Sequence, residues 1–560
     1  MSDTARRTVL GNGLTVITKE VRLLPIASFW VWYRVGSRNE STGTTGISHW
    51  VEHMMFQGTP TIGKGAIFRM VSANGGMLNG FTWLDYTAYF ETLPSRRIDL
   101  ALSIESDRMI NALFLPGEVE RERTVIISER EGSENNPSFL LGEEMGAAAF
   151  MAHPYGHSVI GWKSDLQAMT RDDLYDHYRT FYAPNNAIVV AVGDFQTDDL
   201  LRQIRERFEA IPSGPEVPAV RTIEPPQRGE RRIIMKYPAG APEFDVAYHA
   251  PSISDPDVFP MLTLDALLSG GKPMGMFGSR GARMGRSSRL YRALVDAGLA
   301  SSAGSSFALT KDPYLFDIEA TPRPGVSLEQ IEDTVFQEVE RIQKEGVGAE
   351  EMQRAMKQVR AQFVYGSESV TDQGYWLGAL EAIDSYETYD RLLERLSKVT
   401  PEDVQRVVQQ YLTEPNRTVG WLIPIEPTGA TGPERGAQAA GQPFYYNRFW
   451  VLGSGSWDVQ DDHVITSQSP VYHTENSEPS TQNSSGGGPA GARLAIDRQQ
   501  LGNGTVVLSS RNSDSPQVVV RASLLAGSVF DSLERAGIAR FAAPMVIRGT
   551  EARSFQQLSE

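Results

Sequence analysis

The most informative segment of this 560-residue sequence lies near its N-terminus and reads Ile47-Ser48-His49-Trp50-Val51-Glu52-His53-Met54-Met55. Positions three and four apart share one face of an α-helix, so the side chains of His49, Glu52 and His53 are predicted to converge. Two neutral imidazoles one turn apart suit tetrahedral zinc, and a carboxylate between them can reach a metal-bound water. The chain has only 8 His, which makes two unrelated histidines at this spacing the weaker interpretation.

A catalytic zinc site needs a third protein ligand, and a glutamate-rich helix is predicted for residues 118–131. Glu122 and Glu129 are seven residues apart, two helical turns, and therefore lie on one face. One of them could bind the metal while the other holds a histidine N–H or a water. Taken alone, a solvated face is the better interpretation of this helix. Spacing does not choose among Glu118, Glu120, Glu122, Glu129 and Glu131.

The composition is that of a globular protein, with 41% hydrophobic and 22% charged residues. The absence of cysteine excludes disulfide scaffolds, cysteine-ligated metal sites and thiol catalysis. A formal net charge of -16 argues against a general nucleic-acid binder, which needs a basic face. No apolar run is long enough for a secretory signal or a membrane span, so the sequence predicts no membrane partner and a cytoplasmic location.

Two internal repeats indicate how the chain is divided. The motif Leu10-Gly11-Asn12-Gly13 recurs as Leu501-Gly502-Asn503-Gly504, and three further pairs of residues match at the same offset of 491. A fainter repeat relates the segment that begins at Thr170 to the one that begins at Thr400. We therefore predict two related domains, at residues 5–215 and 230–428. A flexible Gly/Ser/Pro-rich linker with an aromatic patch would occupy residues 429–494, and an incomplete third copy would occupy residues 495–560.

Strand and helix patterns are mixed along the chain rather than strictly alternating. Strand-like patterns occupy residues 15–19, 26–35 and 75–94, and helical spacing occupies residues 97–113, 116–132 and 168–181. This order predicts an α+β fold with two tandem domains, each a mostly antiparallel sheet with helices packed on one face.

Together, these motifs resemble the pitrilysin family of zinc peptidases, which carry the inverted motif His-x-x-Glu-His. The family includes the insulin-degrading enzyme and the mitochondrial processing peptidase. Beyond the motif itself and the pair Glu122 and Glu129, the resemblance rests on residues 75–82, 85–89, 120–125, 153–156, 184–186 and 288–291. It covers residues 5–428 and resumes at 495–560.

The resemblance implies a zinc-dependent endopeptidase that hydrolyses peptides or extended polypeptide segments and holds one zinc ion per chain. It implies that His49, His53 and Glu129 are the zinc ligands. Glu52 would be the general base that activates the zinc-bound water, and Glu122 would hydrogen-bond one of the ligands from behind.

The resemblance also implies a place for the peptide substrate. Asn79, Gly80 and Phe81 would lie on an exposed strand edge beside the metal, where a peptide can add as an extra strand. Without the resemblance, residues 75–82 would be interpreted only as part of a hairpin.

Two departures from the family pattern leave an alternative function open. Family members with two halves place an Arg and a Tyr, seven residues apart, in their last domain, whereas the matching stretch of the second domain has Leu294 and Ser301. At the offset of 491 the metal motif is lost, since Arg540, Ala543 and Pro544 replace its three functional residues. The alternative is a non-catalytic or partner-dependent subunit that binds zinc and peptide. Its partner would be a homologous subunit or the missing C-terminal half of a longer chain.

Overall fold

The computed structural model describes residues 5–272, 285–426, 497–502 and 505–509. The described residues up to 426 form one unit that contains two sheets with their helices, and those from 497 onward belong to a second unit. The predicted linker and most of the predicted third copy therefore lie outside the described residues. None of the helices in the described ranges combines the length and hydropathy that a bilayer-crossing segment requires.

The first sheet has six strands, with an order that differs from the chain order. The strands are β1 (Arg6–Val9), β2 (Thr15–Glu20), β3 (Ile26–Tyr33), β4 (Met77–Thr82), β5 (Thr87–Pro94) and β6 (Ala187–Gly193). Across the sheet they are arranged β1-β2-β6-β3-β5-β4, with β2 and β6 parallel and all other neighbours antiparallel. The continuous apolar run of β6 fits its central place, because both of its faces are buried.

Helices of the first domain pack on one face of this sheet around a large apolar core. In chain order the helices are α1 (Ile47–Met54), α2 (Ala66–Ala73), α3 (Ile98–Asn111), α4 (Pro116–Glu134), α5 (Pro137–Ala149), α6 (Lys163–Ala168), α7 (Arg171–Phe181) and α8 (Thr197–Phe208). The predicted mixed α+β arrangement is confirmed for this domain.

The second domain repeats the architecture of the first. Its strands are β7 (Arg231–Tyr237), β8 (Glu243–Ala250), β9 (Ala300–Phe307), β10 (Tyr314–Pro322) and β11 (Arg417–Pro424), arranged β7-β11-β8-β10-β9. Its helices are α9 (Val258–Ser269), α10 (Leu328–Glu345), α11 (Ala349–Gly366), α12 (Val370–Ile383), α13 (Glu387–Ser397) and α14 (Pro401–Tyr411). Strands β2 to β6 of the first sheet are arranged in the same relative order as β7 to β11 of the second. In each of these five-strand sets the first and last strands along the chain, β2 with β6 and β7 with β11, are parallel neighbours.

The fainter sequence repeat corresponds to one structural unit in each domain. Helices α7 and α14 both begin with a threonine capping box, formed by Thr170 with Asp173 and by Thr400 with Asp403. Such a box satisfies the first backbone N–H groups of a helix from within the local sequence. Each helix then leads into the strand that lies beside the first strand of its five-strand set.

The described part of the second unit is a hairpin whose strand register matches that of the first two strands of the chain. Strands β12 (Asp497–Gln500) and β13 (Val506–Ser509) are antiparallel, and Asp497 lies opposite Ser509. At the start of the chain, Arg6 of β1 lies opposite Thr18 of β2. Both partners shift by the same 491 residues, so this hairpin has the register of the β1–β2 pair at the offset of the sequence repeat.

Each domain also covers the second face of the other domain's sheet with one helix. Helix α12 of the second domain packs on the aromatic outer face of the first sheet, and helix α5 of the first domain packs on β11. The approach of α12 depends on Gly374 and Gly378, whose Cα atoms lie against the indoles of Trp30 and Trp32. The sheets are thus sandwiched between helices from both domains, in addition to the predicted layer on one face.

We expect alanine at Gly378 to weaken the contact between the two domains. A Cβ atom there would overlap the buried ring of Trp32, which cannot move away inside its aromatic cluster. Overpacking of this kind costs about 1–3 kcal/mol of the free energy of unfolding, to be measured by urea denaturation. Gly132→Ala in α4 is the matched control, because nothing lies within 4 Å of its added Cβ. Equal stabilities of the two variants would contradict this packing argument.

Candidate metal centre

Helix α1 is held at its N-terminus by a buried carboxylate. The residue before the helix is Gly46, which has a left-handed backbone (φ 87°) and no side chain to cap the helix. The Glu40 carboxylate accepts hydrogen bonds from the backbone N–H of Gly46 at 2.7 Å and of Ser48 at 2.9 Å. These bonds satisfy amides that the helix itself leaves unpaired. Burial raises the pKa of Glu40 to about 7.

Two histidines of α1 and one glutamate of α4 converge on one point. Glu129 Oε2 lies 3.8 Å from the Nε2 atom of His49 and 3.8 Å from that of His53. Ligand atoms about 2.0–2.2 Å from a tetrahedral zinc ion are about 3.4 Å apart. The three candidate ligand atoms lie within 4.8 Å of one another, so they would have to move closer together to hold one. Two imidazole nitrogens and a carboxylate are also a donor set that zinc prefers. Within the described ranges, no other group of three histidine or acidic residues is as close together.

Glu122 lies behind the cluster, against the far side of one imidazole. Its Oε2 is 3.2 Å from Nδ1 of His53, and its Oε1 accepts a hydrogen bond from Gln57 Nε2 at 2.8 Å. When Nδ1 of His53 donates to this carboxylate, the lone pair of Nε2 is left for the cluster. Glu122 therefore contacts a member of the cluster, while Glu129 belongs to it.

The other three glutamates of α4 considered above are engaged elsewhere. Each forms an ion pair with a lysine or arginine away from the cluster: Glu118 with Lys64 and Arg121, Glu120 with Arg123, and Glu131 with Lys163. The structure thus separates five glutamates that spacing alone left equivalent.

Glu52 lies between the two histidines on the same helix face and is almost completely buried, with 3% of its surface exposed. Its Oε2 accepts a hydrogen bond from the Thr82 hydroxyl at 2.8 Å. Burial is the main cause that raises the pKa of Glu52 to about 7, and the nearby Glu129 carboxylate adds to the rise. With no cation bound, this carboxyl group can therefore both take up and release a proton near neutral pH.

Strand β4 forms one edge of the first sheet, next to α1. Strand β4 pairs with β5 and is the last in the sheet order. The N–H of Trp83 donates to the Tyr86 carbonyl at 2.8 Å, and hydrogen-bonded pairs alternate along an antiparallel ladder. The backbone groups of Gly80 and Thr82 consequently point to the outer edge of the sheet.

The three residues predicted for substrate binding have different surroundings. The Asn79 side-chain oxygen accepts a hydrogen bond from the Gly80 N–H at 3.0 Å. Gly80 packs closely on the rings of Phe56 and Tyr89. The Phe81 ring is buried in the aromatic cluster beneath α12, with its centroid 6.0 Å from that of Tyr375. The Phe81 side chain therefore lies away from the edge, whereas the Asn79 side chain accepts a hydrogen bond from the Gly80 N–H that faces it.

Comparison with known proteins gives consistent results over most of the chain. Residues 15–163 match the family model described as Insulinase (Peptidase family M16), and residues 168–359 match the one described as Peptidase M16 inactive domain. Zinc protease PqqE of Helicobacter pylori is 28% identical over 422 residues, which cover 74% of this chain and 92% of that protein. The probable mitochondrial-processing peptidase subunit beta of Arabidopsis thaliana is 25% identical over 436 residues, covering 75% and 78%.

Solved structures agree with these matches. The crystal structure of a protease from Helicobacter pylori superposes with a TM-score of 0.71 at 25% sequence identity, and the match covers 75% of this chain and 100% of that one. A peptidase M16 inactive domain from Pseudomonas fluorescens has a TM-score of 0.67 at 19% identity, which is evidence for the fold alone.

A buried polar cluster behind the site was not predicted from the sequence. Arg108 of α3 stacks on the Tyr89 ring, 4.2 Å from its centroid, and donates from Nε to Glu105 at 2.9 Å. Its Nη2 atom is also 3.6 Å from Glu91 of β5. All three charged residues are at most 1% exposed. Burial, together with the Glu105 charge, raises the pKa of Glu91 well above 4.5, so Glu91 keeps its proton at pH values where an exposed glutamate has lost it.

We expect Glu91→Gln to change how stability depends on pH. Folded Glu91 keeps its proton above pH 4.5, where the unfolded chain releases it, so its contribution to the free energy of unfolding falls as pH rises. The slope is at most about 1.4 kcal/mol per pH unit for one proton. Glutamine has the same shape and does not titrate, so the variant should gain stability relative to the original protein between pH 5 and pH 8.

Urea denaturation of the metal-free chain at both pH values measures this effect. Glu120→Gln is the control, because the side chain of Glu120 is 66% exposed and its substitution leaves the buried cluster intact. A stability difference between Glu91→Gln and the original protein that is the same at both pH values would show that Glu91 is not a buried neutral acid.

Proposed function

Because the chain belongs to peptidase family M16, we propose that it is a zinc-dependent endopeptidase. The observation that carries the proposal is the convergence of His49, His53 and Glu129, with Glu52 on the same helix face. The first three residues would hold the zinc ion, and Glu52 would be the general base. Relatives of this chain are named zinc proteases, which supports zinc as the metal.

A zinc ion held there would supply Lewis acidity and would lower the pKa of a water toward ~7. Glu52 accepts the proton of the attacking water and then donates it to the nitrogen of the leaving amine. The buried position of Glu52 also keeps bulk water from competing for its carboxylate.

The peptide would bind in an extended conformation along the outer edge of β4. The Gly80 carbonyl and the backbone groups of Thr82 face that edge, whereas the Gly80 N–H already donates to the Asn79 side chain, so the affinity would come largely from the substrate main chain. The interior position of Phe81 favours a supporting role for its side chain under the strand. This mode of binding selects extended segments over folded ones, because only an extended chain can complete the ladder.

We expect Glu52→Gln to abolish most of the cleavage of a quenched extended peptide. Glutamine keeps the shape of the side chain but cannot accept the proton, and loss of a general base costs about 10²–10⁴ in rate. Zinc content, measured on the purified chain, should stay the same. Chelation should stop cleavage by the original protein, and added zinc should restore it. Glu120→Gln is the control, and cleavage by Glu52→Gln at the original rate would refute the proposal.

We also expect Glu122→Gln to weaken zinc binding. The amide can still accept the Nδ1–H of His53, but it lacks the charge that makes the imidazole a better ligand. The dissociation constant of zinc, measured by competition with a chelator, should rise about 10-fold. Glu118→Gln on the same helix serves as the control, since Glu118 pairs with surface cations. An unchanged constant for Glu122→Gln would remove Glu122 from the site.

A second candidate function is that of a peptidase subunit that needs a partner. Residues 168–359 match the inactive-domain model, and one relative is named as a subunit of a processing peptidase. At the two positions where the family resemblance would place an Arg and a Tyr, Leu294 is fully buried and the Ser301 hydroxyl donates to the Thr321 carbonyl. Neither side chain is suited to holding a substrate oxyanion.

The concentration dependence of cleavage distinguishes the two candidates. A rate per chain that stays constant over a 100-fold dilution supports a self-sufficient enzyme. A rate per chain that falls on dilution supports a requirement for a second copy of this chain. Zinc binding without cleavage at any concentration would favour the subunit with a different, homologous partner.

A further inference from the structure

Thr82 connects the outer strand of the first sheet to the buried glutamate of α1. It is the last residue of β4, and its hydroxyl donates a hydrogen bond to Glu52 Oε2 at 2.8 Å. Thr82 also lies directly opposite Thr87 of β5, and the two hydroxyl oxygens are 3.3 Å apart. The Thr87 hydroxyl in turn lies 2.8 Å from the Val35 carbonyl, to which it can donate.

This hydrogen bond restricts how the Glu52 carboxylate can rotate. The terminal torsion of a glutamate side chain is broad, so packing alone does not define the plane of the carboxylate. With Oε2 held by Thr82, the plane is defined and Oε1 is left for the proton of an attacking water. A hydrogen bond to a buried carboxylate is stronger than one between neutral groups, which makes Thr82 an effective anchor.

The position of Thr82 along the chain adds a second consequence. Its backbone lies on the same outer edge as that of Gly80, where an extended peptide would pair with β4. One residue therefore contacts the general base with its side chain and the proposed substrate path with its main chain. A peptide paired with β4 would reduce the motion of the C-terminal end of this strand, where the Thr82 hydroxyl holds Glu52.

We propose that Thr82 is a positioning residue that orients Glu52 for proton transfer and ties that orientation to the edge strand. The inference rests on the proposed peptidase function and concerns the turnover step. Substrate affinity comes from the main chain of β4, which a side-chain substitution at position 82 leaves in place. Loss of the hydroxyl should therefore lower kcat and leave KM nearly unchanged.

The test compares Thr82→Val, which removes the hydroxyl at constant shape, with Thr82→Ser, which keeps it. We expect Thr82→Val to lower kcat about 10- to 100-fold, with KM altered less than about twofold. Thr82→Ser should recover kcat to within about threefold of the original protein. The dissociation constants of zinc and of an uncleaved peptide bound to the metal-free chain should not change in either variant.

Thr92→Val on the neighbouring strand is the matched control. The Thr92 hydroxyl bonds to Ser28 and Thr371 on the other face of the sheet, away from Glu52. Its kcat should remain at the original value. If all three threonine variants lose activity together, the effect comes from the sheet as a whole, and the assignment to Thr82 is wrong.

The outcomes separate this inference from the proposed function. If the original protein cleaves the peptide and Glu52→Gln does not, while Thr82→Val keeps its full kcat, the peptidase function stands and the role of Thr82 is refuted. Equal losses in Thr82→Val and Thr82→Ser would also refute it, because the hydroxyl would not be the cause. A crystal structure of Thr82→Val with the Glu52 carboxylate in its original orientation would refute it without any activity measurement. An original protein that binds zinc but cleaves nothing would instead count against the peptidase function.

Discussion

Everything at the candidate metal centre depends on one short helix that is buried along its whole length. All eight residues of α1 are buried, and its first amides have no acceptor within the helix. A buried N–H without an acceptor costs about 1–3 kcal/mol, so the carboxylate of Glu40 is what allows this helix to begin inside the protein. The directions of the two histidines and of Glu52 follow from that fixed start.

Burying this helix removes several carboxylates from water in the same region. Burial raises the pKa of Glu40 and of Glu52 to about 7, and it raises the pKa of Glu91 well above 4.5. Each is accommodated differently: Glu40 by two amides, Glu52 by a threonine hydroxyl, and Glu91 by keeping its proton beside Arg108. The proposed zinc ion, held by His49, His53 and Glu129, would add positive charge near Glu52 and would favour the charged form of Glu52.

The second domain contributes to the site although it has no comparable cluster among its described residues. Its helix α12 covers the outer face of the first sheet, and Tyr375 packs against Phe81 of the edge strand. The close approach through Gly374 and Gly378 makes this a rigid contact between helix and indole rings. The strand from which Thr82 reaches Glu52 is therefore supported from behind by the other domain. This gives a structural reason for a domain whose described residues include no cluster of metal ligands.

Local periodicity was enough to predict part of the site, whereas the rest required the folded chain. The convergence of His49, Glu52 and His53 follows from the helical repeat within five residues. The starts of helices α7 and α14 follow from the capping residues in their own first turns. Strands β2 to β6 and strands β7 to β11 have the same relative order, in keeping with the prediction of two related domains.

Spacing could not separate Glu122 from Glu129, because both lie on one face of α4 and only the crossing of α4 with α1 distinguishes them. The roles of Glu40, Thr82 and Arg108 were not predicted, because they depend on contacts that only the folded chain makes. Glu40 caps α1 from the segment before it, Thr82 reaches Glu52 from β4, and Arg108 stacks on Tyr89. A sequence pattern records which side chains share a face of one element. It does not record which faces meet, because that is decided by how the helices pack on the sheet and exclude water between them.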